Sequence, residues 1–363
     1  MVVQNSEVQT VKVDYKWANT IAEFDEENWD TVARDQIAMT HRWHRVMEIG
    51  LRDHRPLYLL LKDLEGPLAI AAANQSGFLG GTKRREELLK RVILTLSPPY
   101  SSFHCGVVVR PGAALNQVIP TLEAAMKEIC RRERRLVWAI GNVPPSTLDD
   151  WQAHRFHVIK RPPLTHMDLP QSSYEEGYMG SLSREKRRRL RRMRRHAEKQ
   201  GVTFEHSRHP GAWGEQLYPL LGEVYTYHGA SAPPFRREIF ATLERHMPEE
   251  TVLFVGKVKG QVAGFALGLL GGDSLFATMA GLRYELAQPN YVYFLLLDEL
   301  IRWSIQNRLR SLYTGLTSYE AKQLQGFHLQ PRYMCLRANG SLLDRFLGLM
   351  LPLGQRILNV KGR

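Results

Sequence analysis

Apolar positions along this chain switch between a helical period and runs typical of strands, and the order of the switches occurs twice. In the first half, helical patterns at Asn28–Arg34 and His41–Leu51 precede an apolar run, Pro56–Leu61. A polar turn leads into a second run, Pro67–Ala73, followed by β-like runs at Val92–Leu96 and Phe103–Val109. A helix at Leu115–Arg131, a strand at Leu136–Ile140, a helix at Ser146–His154 and strands at Phe156–Lys160 and Thr165–Leu169 complete it. The second half repeats the scheme. Helices at Glu215–Tyr227 and Arg236–His246 come first, then a hairpin, Thr251–Val258 and Gln261–Leu270, turning at Lys259-Gly260. A strand at Ser274–Ala280, a long helix from Pro289 to Asn307, a strand at Ser311–Gly315, an irregular segment and a last strand at Arg332–Leu336 follow. Helix–helix–hairpin–strand–helix–strand–helix–strand predicts an α/β (α+β) unit, a mixed sheet covered by helices, built in tandem. The expected organisation is an N-terminal domain over 1–172, structural or acceptor-side, and a basic linker helix over 173–202. A C-terminal catalytic domain over 203–340 and an amphipathic tail over 341–363 complete it.

Composition sharpens this picture at one place. The chain has 363 residues and a net charge of +12, and Arg184–Arg195 alone holds nine Arg/Lys against one Glu. Ser183 suits the N-cap of a helix there and Gly201 its end. Leu182, Lys186, Leu190, Met193 and Ala197 fall near one side, which leaves the remaining arginines as a ridge. Like charges at helical spacing repel one another, so the ridge is either a solvated linker or a surface for a polyanion. Apolar runs are shorter than the ~20 residues a membrane helix needs, and Pro352 breaks the amphipathic stretch Leu342–Val360. The N-terminus shows no secretory pattern, and three widely spaced cysteines fit a reducing cytoplasm. His41 and His44 lack partners at metal-binding spacing, and His104-Cys105 reads as core. No metal and no tightly bound cofactor is expected.

Two stretches carry a family resemblance. In SSYEEGYMGSLSREKRRRLRRMRRHAEKQGV, Tyr174, Tyr178, Leu182, Ser183, Arg187, Arg191, Arg192, Gly201 and Val202 stand where Fem-type acyltransferases of the GNAT superfamily have a matching run. In the stretch from Tyr291 to Pro331, Ile301, Trp303, Ile305, Tyr313, Gly315, Glu320, Lys322, Gly326 and Phe327 match a second in order. The chain therefore resembles Fem-type and related tandem GNAT proteins over Asp25–Ala338. The resemblance implies two GNAT-like domains, an activated acyl donor and a small-molecule amine acceptor. It also implies a sheet that splays between two strands, here Ser274–Ala280 and Ser311–Gly315, so that main-chain N–H groups stabilise an oxyanion. The sequence departs from CoA-using relatives at the loop before the long helix, GLRYELAQPNYVYF, which lacks their glycine-rich phosphate cradle. Fem-type proteins, which take aminoacyl-tRNA, lack it too.

Direct transfer from donor to amine needs an oxyanion site, a base and a proton for the leaving group. Glu320 is the candidate base, with Tyr313 and Tyr319 as proton donors. Lys322, Gln288, Asn290 and Tyr291 are candidate donor contacts, joined by Arg187, Arg188, Arg191 and Arg192 for an acidic carrier. Tyr225, Tyr227, His228 and Phe235, around a Gly-Ala-Ser-Ala-Pro-Pro loop, are candidate acceptor contacts. The co-substrate is an acyl-CoA or acyl carrier protein thioester in the first reading, and an aminoacyl-tRNA in the second. A third reading is a non-catalytic module that binds a polyanion through Arg184–Arg195.

Overall fold

A computed structural model describes residues 13–74 and 91–360. The N-terminal residues read for a leader lie largely outside the described residues. The first half comprises β1 (Asp14–Ala18), α1 (Glu26–Ala33), α2 (His41–Gly50), β2 (Pro56–Asp63), β3 (Gly66–Asn74), β4 (Ile93–Leu96) and β5 (Val107–Val109). It continues through α3 (Leu115–Arg132), β6 (Val137–Val143), α4 (Leu148–Ala153) and β7 (His157–Asp168). A π-helical turn at Tyr174–Met179 then leads into the basic helix α5 (Arg184–Lys199). The second half runs β8 (Val202–Ser207), α6 (Gly214–Tyr227), α7 (Ile239–His246), β9 (Thr251–Val258), β10 (Gln261–Gly271) and β11 (Ser274–Leu282). It closes with α8 (Tyr284–Ala287), α9 (Val292–Gln306), β12 (Ser311–Tyr313), α10 (Tyr319–Leu324), β13 (His328–Ala338) and α11 (Ser341–Val360).

Local chemistry accounts for three of the helix starts. Asp25, Thr40 and Ser183 each accept a backbone N–H at the start of α1, α2 and α5. The tandem α/β architecture is present, with departures from the periodicity. The segment Phe156–Leu169, expected as two strands, is a single one. Its prolines, Pro162 and Pro163, fall where the register to β13 shifts between Gln330 and Arg332, so the missing N–H groups interrupt no ladder there. The edge strands β1 and β8 and the short helix α10 escaped the pattern reading. The helix α11 continues through Pro352, because proline's fixed φ is itself helical and only one donor is lost.

The strands form one sheet in the order β1-β2-β3-β4-β6-β13-β7-β12-β11-β10-β9-β8, with β5 on β3. The order shows that the halves exchange their last strands. β13 lies between β6 and β7, and β7 lies between β13 and β12. Each half is thus completed by a strand of the other, and the two sheets become continuous. One core cluster, including Trp43, Met47, Phe103 and Leu164 with Leu217, Phe240 and Phe265, belongs to both halves. A second, under α5 and α9, contains Leu190, Ala197, Leu295, Leu296 and Leu312.

The helix α6 crosses β11 so closely that a Cβ on Gly281 would sit 2.8 Å from the Leu221 nitrogen. Backbone cannot yield as a side-chain tip can. Gly281→Ala is therefore expected to destabilise the chain by about 1–3 kcal/mol, measured as a lowered denaturant midpoint at unchanged slope. Among the described residues no helix is long and apolar enough to cross a membrane.

Candidate active site

The parallel strands β11 and β12 pair over three positions, Ser274–Phe276 with Ser311–Tyr313. β12 then ends, while β11 continues from Ala277 to Leu282 against β10 alone. The sheet opens at that point. Thr314, the next residue, turns to β7, with its N–H on the Thr165 carbonyl and its hydroxyl on the Thr165 hydroxyl at 2.9 Å.

Lys322 enters from α10, and its Nζ donates to the Thr314 carbonyl. The side chain is 2 % exposed, and burial pulls its pKa down from 10.5 to about 7. Removing an ammonium from water disfavours its charged form, so this lysine exchanges its proton near neutrality. Gln325 on the same segment donates to the Phe294 carbonyl in the first turn of α9 at 2.6 Å. Tyr319 donates its hydroxyl to the Pro163 carbonyl at 2.9 Å, and burial raises its pKa. Glu320 is exposed and has no hydrogen bond or ion pair among the described residues. The pairing of Glu320 with Lys322 that their spacing permits does not form, since Lys322 is turned inward.

Tyr313 is the last residue of β12, immediately before Thr314. Its ring stacks on Phe276 (4.9 Å, 7°) and tilts against His166 (4.6 Å), and burial raises its pKa. Phe276 and Tyr313 form one wall of a cavity of about 580 Å³ between the halves. The first half contributes Asp35, His104, Cys105, Asn142 and Trp151 to that cavity, and β13 contributes Arg332. The N-terminal half opens here as well, since β4 leaves β6 after Leu96 pairs with Ile140. Asn142, in the left-handed region at φ 59°, donates to the Ser101 and His104 carbonyls and holds the departing loop.

The candidate donor contacts Gln288, Asn290 and Tyr291 lie at the start of α9. Tyr291 caps it at φ 57° and faces the His196 ring of α5. Asn290 folds back on the Leu286 carbonyl, and Gln288 is exposed. Along α5 the arginines divide into two groups. Arg187 donates to the carbonyls of Met179, Gly180 and Leu182. Arg194 pairs with buried Asp298 and, at 2.9 Å, with Glu299. Arg191 stands 3.9 Å from Glu175. Arg184, Arg188, Arg189, Arg192 and Arg195 are exposed, with no carboxylate partner among the described residues. A narrow crevice lined by Leu182, Lys186, Arg189, Phe294, Leu324 and Gln325 separates this ridge from α9 and α10.

The candidate acceptor contacts scatter. Phe235 is 0 % exposed and packs edge-on against Tyr100 in the shared core, so it has no face for a substrate. Tyr225 bonds the Tyr100 hydroxyl, and burial raises its pKa to about 12. Tyr227 stacks on Tyr284 at the surface (4.3 Å), with His228 beside it. None of the four lines the cavity. His104, read as core, is buried but faces the cavity, where burial pulls its pKa down to about 3. Arg332 and Phe276 were visible only as strand residues, and no spacing links them to Tyr313.

The family model of the acetyltransferase (GNAT) domain matches residues 184–323. Within the chain, 140 of its 363 residues are thus similar to a GNAT domain. Its tandem GNAT fold recurs in solved structures. One is the C-terminal domain of a putative lysylphosphatidylglycerol synthetase from Agrobacterium fabrum, at 13% identity and TM-score 0.56, covering 90% of this chain and 97% of that one. Another is a tandem GNAT protein from the clavulanic acid biosynthesis pathway, at 12% identity and TM-score 0.52, covering 91% and 99%. FemX, at 11% identity and TM-score 0.57, covers 89% and 96%. No curated protein matches the sequence significantly. At these identities the GNAT likeness is one of fold.

Proposed function

We propose that this protein is an N-acyltransferase that joins an activated acyl group to an amine by direct attack. The observation that carries the reading is the opening of the sheet after Phe276 and Tyr313, with Lys322 against its edge. The donor carbonyl lies in the opening, and the amine approaches from the cavity between the halves. The nitrogen lone pair attacks the carbonyl carbon and the carbonyl electrons move onto oxygen, giving a tetrahedral oxyanion. The leaving oxygen or sulfur departs with its bonding pair and takes a proton, while the nitrogen loses one. Main-chain N–H groups freed at the splay stabilise the oxyanion. Lys322, poised near pH 7, supplies the proton to the leaving group. Tyr313 is a second donor on the acceptor side. Glu320 is solvent-facing at the start of α10, and its part as a base requires a water between it and the amine.

The donor we favour is an aminoacyl-tRNA, because the unpaired arginines of α5 line the approach to α9 where no glycine-rich cradle exists. A thioester donor is the second reading, favoured by the acetyltransferase family match over 184–323. Incubating the chain with charged tRNA or with acyl-CoA, plus an amine, and following amide formation separates them. Loss of activity on RNase treatment supports tRNA, and activity with acyl-CoA that survives RNase refutes it. Amide formation with neither donor, while RNA still binds, leaves only the polyanion-binding module. The triple substitution of Arg188, Arg192 and Arg195 by Ala is expected to weaken tRNA binding. It should also reduce the slope of log K against log[salt] by about 2, since each lost phosphate contact removes about 0.7–0.9 of a counterion. An unchanged slope would place the tRNA elsewhere.

A further inference from the structure

Arg332 is 7 % exposed and stands immediately after the irregularity where β13 shifts against β7. Its Nη1 donates to the Pro331 carbonyl at 3.1 Å and its Nη2 to Gln330 Oε1 at 2.9 Å, both neutral acceptors on its own strand. Its buried Nε has no hydrogen-bond partner. A guanidinium carries five donors, so most of its capacity is unused. No ion pair reaches it among the described residues, although the carboxylates of Asp35 and Asp150 belong to other walls of the same cavity. The ionisable neighbours that bear on it electrostatically are Tyr313, Cys105, His104 and His166. Beside it, His104 is equally buried, and its Nδ1 also lacks a partner. A buried cation without a counter-charge is costly, whereas a cavity of about 580 Å³ lined by Phe103, Phe276, Val108 and Leu115 is large enough for a small ligand.

We propose that Arg332 is the anion-binding residue of the acceptor pocket, and that the acceptor is an amine that also bears a carboxylate and an apolar group. The guanidinium fork matches the two coplanar oxygens of a carboxylate. The aromatic and aliphatic wall takes the apolar group, and Asp35 and Asp150 favour the ammonium end. Naming this ligand the acceptor rests on the acyl-transfer reading. Its binding does not, so the test uses no donor.

Isothermal titration of the full chain with L-phenylalanine, phenethylamine and phenyl phosphate provides that test. Phenylalanine is expected to bind at least about tenfold more tightly than phenethylamine, which lacks the carboxylate, a difference of about 1.4 kcal/mol. It should also bind more tightly than phenyl phosphate. Arg332→Gln should erase the preference over phenethylamine, and Arg332→Lys, which keeps the charge without the fork, should retain part of it. Equal binding of phenylalanine and phenethylamine by the wild type would overturn the proposal without recourse to any variant. So would tighter binding of phenyl phosphate, the absence of phenylalanine binding at about 10 mM, or an undiminished preference in Arg332→Gln. Should phenylalanine bind as expected while no donor supports amide formation, the pocket stands and the transferase reading falls.

Discussion

Lys322→Met is expected to lower kcat for amide formation by about 100- to 1000-fold, the loss typical when one preorganised donor at a developing charge is removed, while the chain still folds. Methionine matches the length and volume of the lysine stem, so packing around α10 is kept, and only the ammonium and its bond to the Thr314 carbonyl are lost. Two pH profiles separate chemistry from stability. If the charged form of Lys322 gives up the proton, wild-type kcat falls as pH rises through about 7, and the residual activity of the variant lacks that limb. For stability the direction is opposite. Burial lowers the lysine pKa in the folded state, so between pH about 7 and 10.5 the unfolded chain binds more protons than the folded one. Stability therefore rises with pH across that window, by up to a few kcal/mol, and the rise should be absent in Lys322→Met. A variant with full kcat at every pH would remove Lys322 from the chemistry. A wild type whose stability is flat over the same window would show that the lysine is hydrated.

Asp298→Ala is expected to lower folding stability by about 4 kcal/mol, among the larger single losses available to this chain. Asp298 is 0 % exposed on α9 and accepts from both the Tyr174 hydroxyl and the Arg194 guanidinium. Arg302 lies over the Tyr174 ring at 3.9 Å and closes the cluster. Removing one partner of a buried ion pair costs about 3–5 kcal/mol, and a buried hydroxyl left unbonded costs about 1–3. Arg194 keeps Glu299 at 2.9 Å, which places the sum at the lower end. Asp298→Asn, which keeps an acceptor for Tyr174 but not the charge, should cost less than half as much. Urea denaturation supplies both values. A loss under about 1 kcal/mol in Asp298→Ala would mean that the helix is held by its apolar stripe alone. The same substitution should speed amide hydrogen exchange along α5, because this cluster, with the stripe of Leu190, Met193 and Ala197, ties the basic helix to α9.

These two residues show how unevenly the site could be read from the sequence. Lys322 stood in a motif and was a candidate from its match alone, but nothing in its spacing said that it turns inward and away from Glu320. Asp298 sat beside Glu299 in a largely apolar helix, with no sign of its partners 104 positions earlier at Arg194 and 124 earlier at Tyr174. Two of the acceptor candidates are placed by contacts that are equally distant in sequence. Tyr225 and Phe235 flank the Gly-Ala-Ser-Ala-Pro-Pro loop, yet their side chains pack with Tyr100, a residue of the other half.

Local chemistry in the sequence determined the repeated order of helices and strands, the capped start and apolar stripe of α5 and the hairpin at Lys259-Gly260. Each of these rests on residues within a few positions of one another, where periodicity, capping and turn preference act directly. Tertiary structure alone decided the exchange of β7 and β13, the cavity that both halves wall, which arginines of α5 are spent on Asp298 and on backbone carbonyls, and the meeting of Tyr313, His104 and Arg332. Those outcomes depend on strand pairing across more than 140 positions and on what burial does to a charge, and no local pattern of residues encodes either.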